Sequence, residues 1–383
     1  MKVYADNAAT TAICKSAIAA MLPCFLQGFG NPSSGHEAGR QAAGIVESAR
    51  GVIARSINAD PGEIYFTSGG TESDNWAISI AAEIGMAKNK RHIISTEFEH
   101  HAVLHMLDRL KKHGFEITLL PVHSDGIVRP GELANAIRED TALVTVMYAN
   151  NEIGTVQPVS DMGRICRERG VLFHTDAVQA VGHVAVDVRA QFIDMLSLSA
   201  HKFHGPKGIG ALYCRKGIPM SAFTVGGGQE RGKRAGTENV PAIAGMAAAL
   251  EQSCRNIVVN NEKVAAMRDR LIAALNAVER SRLNGHKTNR LPGIVNFCFE
   301  GIGGELLLLM LDNAGICVSS GSACTSGSLE PSHVLLALGV PHDMAHGSLR
   351  ISLCEYNTPE EIDYLVKTIP LVISRIRDMS HDR

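Results

Sequence analysis

Cys324 lies in residues 319–328, a run of serine, glycine, alanine and threonine with almost nothing apolar to hold the thiol in a core. Buried cysteines usually have aliphatic neighbours and behave as small hydrophobic side chains. A thiol on a segment of small residues is more typical of a nucleophile that visits more than one place. The pattern predicts that Cys324 is a reactive thiol on a mobile, solvated loop.

Lys202 is the second candidate for chemistry, and it closes the sequence Ser-Ala-His-Lys that follows the apolar run 192–198. Lysine is normally a solvated surface residue, so its type alone predicts nothing. At the end of a strand, beside a serine and a histidine, it is a candidate for a Schiff base with a carbonyl cofactor. Lys207 is an alternative candidate for the Schiff base, but its position in a Pro-Lys-Gly turn indicates a backbone role.

A candidate phosphate site lies in residues 67–74, where a predicted strand runs into two glycines and then a helix. We expect Thr71 to cap this helix, with Asp74 at the capping-box position. Exposed backbone N–H groups at the positive end of a helix bind phosphate well. An ordinary glycine-rich turn explains the same residues and, taken alone, is the more frequent case.

Asp176 ends the apolar run 171–175, where a carboxylate is costly to bury unless a cation meets it. A protonated pyridine nitrogen meets that need, and aspartate is the usual partner of the ring nitrogen of pyridoxal 5′-phosphate (PLP). Gln179 follows at a distance that suits a hydrogen bond to the phenolic oxygen of the same ring. A helix cap is a serious alternative for Asp176.

Two further polar groups are candidates for the same site. One imidazole of the pair His100-His101 could stack on a pyridine ring and transfer protons, although a satisfied surface histidine is more common. Arg350 alternates with Leu349 and Ile351 on a predicted strand, which places it on the opposite face. A guanidinium there suits a bidentate grip on a substrate carboxylate; a surface salt bridge is equally frequent.

Short apolar runs that alternate with helical stretches predict an α/β fold with a mostly parallel sheet covered on both faces. In such sheets ligands gather at the carboxyl ends of the strands. One long helix is expected over 243–276, with a change to a strand-rich pattern after it. The predicted strands of the main sheet are 64–67, 92–95, 116–120, 143–147, 171–174, 195–198 and 210–213.

Composition indicates an ordinary globular chain of 383 residues, with 45% hydrophobic and 20% charged residues. The net charge of −2 gives no reason to expect nucleic acid or a membrane surface as a partner. The start of the chain lacks the pattern of a secretion signal, and nine cysteines without a Cys-x-x-Cys pair predict neither a disulfide framework nor a zinc knuckle. We therefore expect a cytoplasmic protein without a membrane span.

In these residues and their spacing, the chain resembles the cysteine desulfurases of the NifS/IscS type, within the class V aminotransferase family. The resemblance covers nearly the whole chain, and residues 319–333 carry its most specific motif. The other matching segments are 4–11, 29–34, 67–73, 150–154, 174–179, 199–202 and 226–237.

The resemblance implies a PLP-dependent transferase of fold type I, with a large domain of seven mostly parallel strands flanked by helices and a smaller α+β domain. It places the large PLP-binding domain at 13–257, and the small domain, which carries the Cys324 loop, at 1–12 and 258–383. It further implies a covalent link between PLP and Lys202, with His100 stacked on the ring, Asp176 on the ring nitrogen and Gln179 on the ring hydroxyl. The implied phosphate ligands are Gly70, Thr71, Ser199 and His201, together with Thr237 from a second subunit.

By the same resemblance, Asn151 and Arg350 bind the substrate carboxylate, with Asn151 also near the ring. The segment Asn7-Ala8-Ala9 departs from the family pattern and is expected to touch no catalytic group.

The implied reaction converts L-cysteine to L-alanine and leaves the sulfur as a persulfide on Cys324. The implied partners are a second copy of the chain and a sulfur acceptor, such as an iron–sulfur scaffold of the IscU/NifU type, and a nitrogenase role is one form of this. Through its persulfide, Cys324 would then be a shared ligand of an iron–sulfur cluster. A selenocysteine lyase or a class V aminotransferase is the alternative.

Overall fold

The computed structural model describes residues 1–321 and 330–381, so Cys324 lies outside the described residues. The helices are α1 (Lys15–Leu26), α2 (Glu37–Ser56), α3 (Gly70–Ala87), α4 (His101–Lys111), α5 (Pro130–Ala136), α6 (Val159–Glu168), α7 (Gln229–Gly232), α8 (Val240–Arg255), α9 (Ile257–Asn276), α10 (Gly304–Asn313), α11 (His333–Ala337), α12 (His342–His346) and α13 (Pro359–His381). The strands are β1 (Val3–Tyr4), β2 (Ile64–Thr67), β3 (His92–Thr96), β4 (Glu116–Leu120), β5 (Thr141–Thr145), β6 (Leu172–Asp176), β7 (Met195–Ser199), β8 (Gly210–Cys214), β9 (Ser281–Leu283), β10 (Ile294–Phe299), β11 (Ile316–Cys317) and β12 (Ser348–Ser352).

The main sheet has seven strands in the order β2-β8-β7-β6-β5-β3-β4. Strands β4, β3, β5, β6 and β7 run parallel, while β8 is antiparallel to both of its neighbours. Every residue of β3, β5, β7 and β8 is buried, as expected for a sheet with helices on both faces. The predicted α/β fold with a mostly parallel seven-stranded sheet is confirmed.

A second core lies around the antiparallel strands β12, β10 and β9, against helices α9, α10 and α13. Val3, Phe297, Leu311, Ile351 and Ile369 are fully buried there. The start of the chain joins this part, because β1 pairs in parallel with β11. The domain boundary at 257/258, with 1–12 in the smaller unit, stays a prediction.

The prediction of a single long helix over 243–276 is wrong, because the structure has two helices there. Asn256, with φ −103° and ψ 7°, leaves the helical conformation and separates α8 from α9. Alanine-rich periodicity does not reveal such a break, because one non-helical residue preserves the apolar pattern on either side. Within the described ranges, no helix has a stretch that is both long and apolar enough to cross a lipid bilayer.

Candidate active site

A cavity of about 360 Å³ opens at the carboxyl ends of β6 and β7. The predicted site residues converge here, apart from Thr237 and Cys324. The residues that line the cavity are Ala8, Ala9, Gly70, Thr71, Asp74, His100, Met147, Ala149, Asn151, Asp176, Val178, Gln179, Ser199, His201, Lys202 and Arg350. They come from segments far apart in sequence, which the parallel strand order brings to one edge of the sheet.

Asp176 is the last residue of β6, and its Oδ1 accepts a hydrogen bond from the backbone N–H of Val178 at 2.9 Å. Burial raises the pKa of this carboxyl, while His100, the Val178 N–H and Lys202 act in the opposite direction. Residues 177–194 form turns and no helix, so this bond closes a local turn and the helix-cap alternative for Asp176 is wrong. A cation opposite Asp176 would restore its ionised form.

Two buried acids behind Asp176 were not predicted from the sequence. Asp74, on α3, is fully buried, and burial together with the Asp176 charge raises its pKa well above the ordinary value. Glu99 accepts hydrogen bonds from the hydroxyl of Thr96 at 2.6 Å and from the N–H of Met147 at 3.0 Å, and burial raises its pKa to about 8. Burial thus raises the pKa of both acids, which favours their protonated carboxyl forms.

Lys202 ends a short 3₁₀ turn, Ala200–Lys202, directly after β7. Its amine donates hydrogen bonds to the carbonyl oxygens of Ala8 at 2.6 Å and Ala9 at 2.9 Å. The expectation that residues 7–9 touch no catalytic group is therefore wrong for the backbone of Ala8 and Ala9. Nothing in residue type could reveal this contact, because it is made by main-chain oxygens.

The turn that was predicted to bind phosphate lies at the start of α3, and its capping differs from the prediction. Gly69 has φ 155° and ψ −174°, a region that glycine alone occupies readily. A Cβ at Gly70 would come within 2.6 Å of Val178 Cγ2, so a side chain there would crowd the cavity wall. The helix begins at Gly70, and Glu72, not Thr71 with Asp74, makes the local bond by accepting from the Ser68 N–H at 2.7 Å.

The two adjacent histidines point in different directions. His100 precedes α4, accepts a hydrogen bond from the Ala102 N–H at 3.1 Å through Nδ1, and lines the cavity. His101 instead packs against His105 and His333, with ring centroids 5.0 and 4.8 Å apart. The family resemblance predicts that His100, and not His101, stacks on the cofactor ring. The side chain of His100 lines the cavity.

His201 and Ser199 flank the turn that was predicted to bind phosphate. Burial, together with Lys202 and Lys207, lowers the pKa of His201 to about 4, so its imidazole is neutral at neutral pH. Its Nδ1 lies 3.2 Å from the hydroxyl of Thr10. A neutral imidazole keeps one N–H, which it can donate to an anion.

Arg350 is only 2% exposed, so the surface salt bridge that competed with its site role is excluded. Its Nη2 donates to Asp6 Oδ1 at 2.9 Å, and its Nη1 donates to the Asn151 carbonyl at 3.2 Å. The Nε is buried without a hydrogen-bond partner among the described residues. Gln179, on the other wall, donates from Nε2 to the Ala8 carbonyl at 2.9 Å.

The segment that contains Cys324 is anchored on both sides near the cavity. Ser319 and Arg350 form a backbone bridge, and beyond the segment Ser332 Oγ donates to Glu152 Oε2 at 2.5 Å. His333 Nε2 lies 3.0 Å from the Glu99 carbonyl. Thr237 is exposed and does not line the cavity of this chain, so its predicted role requires a second subunit.

Comparison with known families gives a match to the class-V aminotransferase model over residues 3–365. The chain belongs to that family. The resemblance stated from the sequence motifs is thereby confirmed.

Individual members of the family are similar to this chain along almost their whole length. The chain is 52% identical over 378 residues to the cysteine desulfurase IscS of Methanosarcina thermophila, which covers 99% of this chain and 93% of the relative. A solved NifS-like protein aligns with a TM-score of 0.92 at 40% identity, over 98% of this chain and 100% of the other. The structure of SspA in complex with cysteine aligns with a TM-score of 0.82 at 36% identity, over 93% and 99% of the two chains.

Class-V aminotransferases and cysteine desulfurases depend on PLP, and the cavity fits that cofactor. Its volume falls in the range of about 300–1,000 Å³ that is usual for small-molecule sites. Asp176 is a buried carboxyl to which a pyridinium N–H could donate a hydrogen bond. Gly70 has no side chain, and this leaves open the space in front of Val178 that a Cβ would fill. Lys202 lies in the same cavity as both.

Proposed function

We infer that this protein is a PLP-dependent cysteine desulfurase that converts L-cysteine to L-alanine and receives the sulfur on Cys324. The names of the relatives, at about half identity over the full chain, support this activity. One observation carries the assignment to particular residues: Lys202, Asp176 and Arg350 line one cavity, and the Cys324 segment starts beside Arg350.

We propose that this cavity would hold PLP, with His100 against its ring, Asp176 on its nitrogen and Gln179 on its hydroxyl. Gly70, Thr71, Ser199 and His201 would hold the phosphate, and Lys202 would hold the cofactor covalently. The positive end of α3 supports an anion there, because its first N–H groups have no partner within the helix. Bound PLP supplies an electron sink for the substrate carbon skeleton.

The substrate carboxylate binds Arg350 and Asn151. The buried guanidinium is preorganised by Asp6 and by the Asn151 carbonyl, which fixes its plane before substrate arrives. A bound L-cysteine would therefore lie between Arg350 and Lys202.

Two residues move protons and sulfur. The Lys202 amine, held by the Ala8 and Ala9 carbonyls, takes the proton from the substrate α-carbon. The Cys324 thiolate attacks the substrate sulfur, so that an S–S bond forms and the carbon–sulfur bond breaks with its electron pair left on carbon. That carbon takes up a proton, the α-carbon regains the proton that Lys202 removed, L-alanine leaves, and the persulfide stays on Cys324.

A coupled assay of alanine and sulfide from L-cysteine, with dithiothreitol as the sulfur acceptor, tests the assignment. We expect both products in equal amounts. Keto-acid-dependent amino transfer without sulfide would instead identify an aminotransferase, and strong preference for L-selenocysteine would identify a selenocysteine lyase. The likeness to SspA, which was solved in complex with cysteine, favours the desulfurase.

We further propose that the enzyme is a cytoplasmic homodimer that delivers sulfur to an iron–sulfur scaffold of the IscU/NifU type, with Cys324 as the shared cluster ligand. Thr237 of one subunit would reach the phosphate of the other. One face of α1 supports the dimer, because its apolar side chains are 48–66% exposed in the single chain and a second subunit could cover them. These side chains are Ile18, Leu22, Phe25 and Leu26. Sedimentation of the wild type and of a Leu22→Glu, Phe25→Glu variant tests the dimer; an unchanged sedimentation coefficient would contradict this face.

A further inference from the structure

His204, Cys354 and Glu355 bring an imidazole nitrogen, a thiol sulfur and a carboxylate oxygen within 4.8 Å of one another. The three residues come from two parts of the chain. His204 follows Lys202 by two positions, and Cys354 and Glu355 come shortly after β12, the strand of Arg350. This cluster lies outside the proposed chemistry, and sequence spacing could not reveal it because about 150 positions separate its members.

The ring of His204 has the orientation of a metal ligand. It is 3% exposed, and its Nδ1 lies 2.9 Å from the Ala12 carbonyl, so Nδ1–H donates to the backbone. The other ring nitrogen, Nε2, is buried, makes no hydrogen bond within the described residues, and lies 3.3 Å from Glu355 Oε2. Metal-binding histidines almost always donate their second ring N–H to a carbonyl or carboxylate in this way.

Hydrogen bonds from the backbone N–H groups of His204 and Cys354 hold these two residues in place. The His204 N–H donates to Thr11 Oγ1 at 2.9 Å, and the Cys354 N–H donates to Asn357 Oδ1 at 2.9 Å. A cavity of about 40 Å³ adjoins the cluster and is also lined by His183 and Asn261. Since one water needs about 10–15 Å³, this space accommodates a solvent ligand.

We propose that His204, Cys354 and Glu355 bind one divalent transition-metal ion of the zinc class, with water from the adjoining cavity as the fourth ligand. One sulfur, one nitrogen and one carboxylate oxygen suit Zn²⁺ or Co²⁺ far better than Mg²⁺ or Ca²⁺, which prefer oxygen alone. The bound ion ties the end of β12 to the loop that carries Lys202. It thereby fixes the distance between the two sides of the active site.

The test measures Zn²⁺ bound per chain by the PLP-loaded protein at low, buffered free zinc. All variants are made in a Cys324→Ser background, because any free thiol can bind zinc and its removal separates this site from the proposed desulfurase chemistry. The ligand variants are Cys354→Ser, Glu355→Gln and His204→Gln. Cys24→Ser removes a distant thiol, and His123→Gln removes the imidazole of an exposed histidine–glutamate pair that has no thiol.

We expect one zinc per chain in the background protein and in both controls. Each ligand variant should weaken binding by at least about 10- to 100-fold, since even outer-shell changes cost that much. Co²⁺ should give the long-wavelength bands of tetrahedral coordination, clear of the PLP absorption, and Cys354→Ser should abolish them. Zn²⁺ should raise the Tm of the background protein but not that of Cys354→Ser, which checks folding independently.

Two results would overturn the proposal. One is zinc binding that Cys354→Ser and Glu355→Gln leave unchanged, which would place any ion elsewhere. The other is no zinc bound by the folded background protein, which would leave His204 and Glu355 as a simple buried ion pair.

Discussion

Ser319 and Arg350 exchange two backbone hydrogen bonds, with N···O distances of 3.2 and 2.7 Å. The segment that contains Cys324 therefore begins directly beside the residue proposed to hold the substrate carboxylate. Every residue of β12 is buried, so the position of Arg350 is fixed by packing, and its backbone hydrogen bonds fix the position of Ser319. The pairing links the two functions that the reaction must bring together, substrate binding and sulfur transfer.

Gly321, the last described residue before that segment, has no room for a side chain. A Cβ there would lie 2.4 Å from Glu152 Oε2 and 3.0 Å from Ser332 Cβ. We expect Gly321→Ala to lower the rate of sulfide release by about tenfold or more, since a misplacement that costs about 1.4 kcal/mol is enough for that. PLP absorbance should be retained. Gly303→Ala, where a Cβ meets nothing within 4 Å, is the matched control, and equal turnover of the two variants would exclude this role.

The substitution Arg350→Lys keeps the positive charge but removes the planar guanidinium group that can bind a carboxylate with two hydrogen bonds. We expect the KM for L-cysteine to rise by about tenfold or more, because a hydrogen bond to a charged group contributes about 1.5–3 kcal/mol. The change in kcat should be smaller, as for a contact made to substrate before and during the reaction. Arg138→Lys, at an exposed ion pair, is the control; a KM that stays at the wild-type value in Arg350→Lys argues against carboxylate binding there.

Gly70→Ala tests the phosphate-binding turn. The new methyl group would meet Val178 Cγ2 at 2.6 Å, so we expect the Kd for PLP to rise by about tenfold or more. The double variant Gly70→Ala, Val178→Ala removes the obstructing methyl group and should recover most of the affinity. Titration of the apoprotein with PLP measures both; Gly44→Ala, with open space at its Cβ, should bind PLP like the wild type.

Glu99 should make the stability of the protein depend on pH. Its pKa is raised to about 8 in the folded protein, against about 4.3 for an unperturbed glutamate. Between these values the folded state binds more protons than the unfolded state, so this group's contribution to stability falls as pH rises from about 4.3 to about 8. It is fully present below that range and absent above it.

The measurement is the Tm of wild type, Glu99→Gln and the exposed control Glu97→Gln, across the same pH range. Glutamine cannot ionise, and its oxygen can still accept from Thr96 and the Met147 N–H. We expect the difference in Tm between Glu99→Gln and wild type to shift in favour of the variant as pH rises. A difference independent of pH would mean that Glu99 is ionised throughout.

The sheet and its edge were predictable from the sequence, because they depend on local apolar runs and on the residues that end them. The strand at 116–120 and the one at 64–67 have the predicted bounds, and Asp176 and Lys202 fall at the edge where ligands gather. The break at Asn256 was not predictable, since a single residue leaves the alternation of apolar positions intact.

The parts of the site that escaped prediction are made by backbone or by long-range burial. Ala8 has no polar side chain, yet its carbonyl accepts from both Lys202 and Gln179. Asp74 resembles a capping residue because it stands near the start of α3, but it is buried, and burial together with the charge of Asp176 raises its pKa. Neither property depends on residue type or spacing, so only tertiary structure reveals it.

The central claim is that sulfur passes from L-cysteine to the thiol of Cys324. Mass spectrometry of the PLP-loaded enzyme, incubated with L-cysteine without a reductant, tests this directly, with Cys324→Ala in parallel. We predict one added sulfur atom on the Cys324 peptide of the wild type, and in Cys324→Ala a normal PLP absorbance with no alanine formed. Full alanine production by Cys324→Ala would contradict the account.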